Sequence, residues 1–67
     1  MGKGDEAISA LGKAVAAQPK SARAHAQLGL AYLDLGDPTS AKREIQAAKL
    51  LDPNEDTVKM ALRKLKP

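Results

Sequence analysis

Few side chains in this chain can do acid–base or nucleophilic work. His25 is the only histidine, and none of the 67 residues is a cysteine. A hydrolytic triad needs a base beside a nucleophile. Ser21 stands four residues before His25, one helical turn away, but a serine there reads as a helix cap. A metal centre needs more imidazole or thiolate donors than the chain carries. Met60 reads as core or groove wall. The stretch Gly2-Lys3-Gly4-Asp5 is too short for a phosphate loop and has no lysine–serine pair after it. These residues point to a protein that is not an enzyme and holds no cofactor or metal.

The remaining chemistry is charge. Eleven Lys and Arg against eight Asp and Glu give a net charge of +3. Much of the excess lies in the terminal "KMALRKLKP". Nucleic-acid binding through Lys59, Arg63, Lys64 and Lys66 would weaken steeply with salt as counterions are released. No aromatic residues interleave to stack on bases. A solvated helix face is therefore the expectation for this tail, with weak nucleic-acid binding as the alternative.

A chain of 67 residues forms one domain at most and buries only about 60% of its unfolded surface. No apolar run approaches the roughly 20 residues of a membrane span. "MGKGDEAIS" lacks the apolar core of a signal peptide, and Glu6 stands where an acylation motif wants Ser or Thr. The cytoplasm is the default compartment. A composition rich in Ala, Leu and Lys, with one Tyr and no Trp or Phe, favours an all-α fold.

Apolar spacing predicts four helices. The first runs from Asp5 to Ala17, with Ala7, Ile8, Leu11, Ala14 and Val15 on one stripe. Gln18 and Pro19 end it, since the residue before proline avoids helical geometry. The second runs from Ala22 to Leu35, with Ser21 as N-cap and Leu28, Ala31, Tyr32 and Leu35 as its core stripe. Ala26, Leu30 and Leu33 form a further apolar stripe on the same helix. The third runs from Pro38 to Leu51, with Asp37 as N-cap and Gly36 in the left-handed position that closes the helix before it. The fourth runs from Glu55 to Lys66. Asn54 is its expected cap, and an Asp52–Glu55 capping box is the competing register.

The chain also repeats itself. Pro19 and Pro53 stand 34 residues apart, as do Gly2 and Gly36, Ala7 and Ala41, Ala14 and Ala48, and Leu28 and Leu62. Leu11 and Ile45 match conservatively at the same offset. The central segment resembles a tetratricopeptide repeat, whose pattern is Trp-x2-Leu-Gly-x2-Tyr, then Ala-x3-Phe, a further Ala, and Pro. "HAQLGLAY" supplies His25, Leu28, Gly29 and Tyr32, and "AKREIQAA" supplies Ala41, Ile45 and Ala48 before Pro53. His25 replaces the family's Trp, and Ile45 its Phe. Residues 2–19 are similar to the second helix of a preceding repeat, residues 22–55 to a complete one, and residues 56–67 to the first helix of a following one. In that last helix only Leu62 matches. Arg63 stands for the Gly and Lys66 for the Tyr, as in a polar capping helix.

The resemblance implies antiparallel helix-turn-helix hairpins in a right-handed α-solenoid fragment. Gly29, Ala41 and Ala48 would then be the small residues that let two helices approach closely. It also implies a protein–protein interaction scaffold that holds a peptide or partner helix in a concave, mostly apolar groove. By frame, the groove positions are Arg23, Ala26, Gln27, Leu30, Leu33 and Asp34, continued by Thr57, Met60, Ala61 and Lys64. Family members that bind chaperone tails clamp a terminal carboxylate with lysine and asparagine. The corresponding residues here are Ala26, Leu30, Thr57 and Ala61, so no such clamp is expected. The alternative is self-association. The first helix has no antiparallel partner of its own, so one side of Ile8, Leu11 and Val15 is expected to be open to a second copy. The mid-repeat start fits an excised or designed piece of a longer array.

Overall fold

A computed structural model describes residues 3–65. They form four helices, α1 (Lys3–Ala17), α2 (Ala22–Asp34), α3 (Pro38–Leu51) and α4 (Asp56–Leu65). The fold is all-α, an arrangement of antiparallel hairpins. Helix α1 begins at Lys3, two residues before the expected Asp5; Gly2, where the half-repeat frame starts, and Lys66, the expected end of the fourth helix, lie outside the described residues.

Each corner has a stated chemical cause. After α1, the Gln18 N–H still donates to the Ala14 carbonyl at 2.9 Å, and the Ser21 N–H to the Gln18 carbonyl at 3.0 Å. Ser21 then caps α2, its hydroxyl accepting from the Ala24 N–H at 3.1 Å. At the end of α2, Gly36 takes φ +80°. Its N–H donates to the Leu33 carbonyl (3.0 Å), and the Asp37 N–H donates to the Tyr32 carbonyl (2.9 Å). These two bonds are a Schellman closure, which glycine adopts without a Cβ penalty. Asp37 at once caps α3 by accepting from the Ser40 N–H at 3.2 Å, with Pro38 in the first turn. One helix thus ends and the next begins within three residues.

The α3–α4 corner differs from expectation. Asn54 does not cap α4; its N–H donates to the Asp52 carboxylate at 3.1 Å, which closes the turn around Pro53. Glu55 is the residue left at the boundary. Its Oε1 accepts from the Thr57 N–H at 2.7 Å and from the Val58 N–H at 3.2 Å. Asp52 and Glu55 do not form a reciprocal box. Asp52 satisfies a donor of the turn, and Glu55 satisfies first-turn donors that the helix itself leaves unpaired.

The fold is a thin slab of 33 × 31 × 17 Å. Its core cluster joins Ala22 and Ala26 of α2, Ala41, Ile45 and Ala48 of α3, and Val58 and Ala61 of α4. Among the described residues no polar or charged side chain is buried. Helix α2 is central: it packs against α1, α3 and α4, whereas α1 meets α2 alone. The tightest contact is at Gly29. A Cβ added there would lie 2.5 Å from Ile45 Cγ1 and 3.2 Å from the Ala41 carbonyl oxygen. Small residues at this crossing are what allow α2 and α3 to close on each other.

The expected core stripe of α2 holds only in part. Leu28 is buried and Tyr32 packs at the edge of the core, but Leu35 is 48% exposed. Ala26, Leu30 and Leu33 face the cluster instead. Helix α2 packs against both α3 and α4, so it buries more than one face.

Candidate interaction surface

The groove positions expected on α2 lie mostly along one face. Arg23, Gln27, Leu30 and Asp34 follow each other at helical spacing. On α4, which packs against α2, Thr57, Met60 and Lys64 do the same. Arg23, Gln27, Asp34, Met60 and Lys64 are exposed, and Leu30, Leu33 and Thr57 are half-buried. Ala26 and Ala61 have no accessible surface. They belong to the core and offer nothing for a ligand to touch. Their lack of bulk is what admits α4 beside α2.

One end of this surface is set by electrostatics. The Arg23 guanidinium lies 3.6 Å from Glu55 Oε2, while the other oxygen of Glu55 caps α4. The same carboxylate therefore ties the start of α2 to the start of α4. The arginine side chain remains 68% exposed, so the pair is a weak, solvated one. Toward the middle, Met60 is 44% exposed and lies on the α4 face, with Leu30 and Leu33 half-exposed on α2. A thioether on a flexible stem adapts its shape to an apolar partner. Asp34 and Lys64 bring opposite charges to the far part of the two stripes.

This arrangement offers apolar contact and charge at its edges. Among the described residues no three His, Asp or Glu side chains gather as metal ligands. A depression of about 570 Å³ lies elsewhere, on the outer side of α3, between Pro38, Thr39, Lys42, Arg43 and Gln46. Its walls come from a single helix and all five residues are exposed, so it is an open, polar shelf and not an enclosed site. Lys59, Arg63 and Lys64 of the basic tail are exposed, and Lys66 lies outside the described residues. None of the four helices is long and apolar enough to cross a membrane.

His25, at the position where the repeat pattern has its large aromatic residue, is half-buried and makes two polar contacts that local spacing does not reveal. Nδ1 is 2.9 Å from Glu44 Oε1 and Nε2 is 2.8 Å from the Pro19 carbonyl oxygen. Glu44 is 19 positions away and was invisible to any helical-period reading. The available signal was weak: a polar ring at a semi-buried position requires partners.

The family model of the tetratricopeptide repeat matches residues 1–65. No curated protein and no solved structure matches the chain. Tetratricopeptide repeats generally mediate protein–protein interaction and are typically non-catalytic. With four antiparallel helices, a glycine crossing at Gly29 and a family match over nearly its whole length, the chain belongs to the tetratricopeptide repeat family.

Proposed function

We propose that the chain binds a peptide or helix of a partner protein across the α2–α4 surface, with Leu30, Leu33 and Met60 as the apolar contacts. Residues 22–55 act as the complete repeat in this reading, and the flanking helices as half-repeats. The observation that carries it is the exposure of Met60 at 44% on α4, the helix that packs against α2 and its half-buried leucines. An apolar stripe with charged ends fits an amphipathic ligand. Neither Lys nor Asn stands at Ala26, Leu30, Thr57 or Ala61, so recognition does not run through a terminal carboxylate. Selection from a displayed peptide library tests this. Selected peptides should carry spaced apolar anchors, and Met60→Glu should weaken them at least tenfold while circular dichroism stays unchanged. Selection of acidic C-terminal peptides that lose binding on Arg23→Ala, with no effect of Met60→Glu, would refute it.

A second reading, self-association through α1, has its own observation. Ala7 and Ala14 are exposed and Leu11 only half-buried, on a helix that packs on one side alone. Sedimentation equilibrium over a concentration series would show a dimer that Leu11→Lys abolishes. A monomer at all concentrations removes this reading and leaves the groove as the binding surface.

A further inference from the structure

His25 touches two groups that can only accept. The Pro19 oxygen is a backbone carbonyl, and an ionised Glu44 has no proton to give. At 2.8 Å and 2.9 Å, both contacts call for an N–H on the imidazole side. A neutral ring has one N–H and can satisfy one of them. We propose that His25 is a proton-operated clasp that fastens the α1–α2 corner to α3 when doubly protonated and releases one of its two contacts on losing a proton.

The surroundings support this. The His25 side chain is 14% exposed and that of Glu44 21%, so water is a poor substitute for Glu44, whereas the Pro19 contact faces solvent. Burial pulls the pKa of His25 down, but its hydrogen bonds to Glu44 and to the Pro19 carbonyl, with the Glu44 charge, outweigh it. The ring is raised above its ordinary value of 6.5. Glu44 is the charged group that meets the ring from α3, and the Pro19 carbonyl is the polar group from the α1–α2 turn. Among the described residues α4 brings the ring no hydrogen-bond or ion-pair partner. On α2 itself, Arg23 pairs with Glu55.

The sign follows from linkage. A folded-state pKa above the unfolded one means the native chain holds the proton more tightly. The clasp contributes fully below about pH 6.5 and loses its contribution as pH rises through the folded value. The element that responds is α1, because it packs on α2 alone and its junction is the turn the clasp holds.

The test uses the full chain. His25 is the only histidine, so its imidazole carbon-bound proton gives one assignable NMR titration between pH 5 and 9. The expected result is a midpoint above 6.5, amide shifts at Gln18, Lys20, Ser21 and Glu44 that titrate with it, and a urea midpoint that falls as pH rises through it. The α-amino group titrates in the same range, so His25→Gln supplies the baseline and should lose the pH dependence. Glu44→Gln should return the histidine midpoint toward 6.5. A wild-type midpoint at or below 6.5 would overturn the clasp whether or not the variants fold. So would a urea midpoint that is flat or rises with pH, or an unchanged dependence in His25→Gln.

Discussion

Helices α1 and α3 carry the same pattern 34 residues apart, yet they live in different surroundings. Ala41, Ile45 and Ala48 have no accessible surface. Their counterparts Ala7 and Ala14 are exposed, and Leu11 is half-buried. The pattern itself is equally apolar in both. What differs is the neighbour: α3 lies against α2 at the glycine crossing and also meets α4, whereas α1 meets only α2. A stripe of small and aliphatic residues specifies a face that can be buried. A second helix with a gap at the matching point decides whether it is.

Substitution at the paired positions should break the likeness most. Ile45→Ala removes a fully buried side chain and should cost about 2–5 kcal/mol by urea unfolding, enough to leave little folded protein in a domain of this size. Leu11→Ala deletes similar atoms from a half-open face and should cost only about 1 kcal/mol. Equal costs would mean that α1 is covered as fully as α3.

The two mid-helix glycines sharpen the contrast by sign. At Gly29 an added methyl meets Ile45 Cγ1 at 2.5 Å, and Ile45 has nowhere to retreat. Overpacking of about 1–3 kcal/mol should exceed the helix-propensity gain of up to about 1 kcal/mol. Gly29→Ala should therefore lower the melting temperature, and Gly29→Leu should lower it further. At Gly12 nothing lies within 4 Å of an added Cβ, so Gly12→Ala keeps the propensity gain and should raise it. The smallest effect belongs to Leu50, 88% exposed, where Leu50→Ser should stay within about 0.5 kcal/mol of the parent.

Much of this architecture was legible because it depends on local chemistry. Gly36, Asp37 and Pro38 each serve one backbone requirement, and the bounds of α3 follow from them. The α4 cap was misread because Asp52, Asn54 and Glu55 compete for the same few N–H groups, and spacing does not say which wins. Leu35 is half-exposed although its spacing places it on the core stripe, because α2 ends at Asp34 and Leu35 is its C-cap, where the chain already turns away. The groove residues were named from the repeat frame. Ala26 and Ala61 are buried because α4 packs tightly onto α2, a distance that no single-helix pattern contains. The His25–Glu44 pair joins two helices, and pairing between elements is what a one-dimensional reading lacks.

The most direct measurement is relaxation of the alanine methyl signals by a soluble paramagnetic probe, at a protein concentration low enough to exclude self-association. The account predicts strong relaxation of the Ala7 and Ala14 methyls and protection of Ala41 and Ala48. Equal protection in the two sets would contradict it, because α1 would then have a covered face and the two helices would not differ as described.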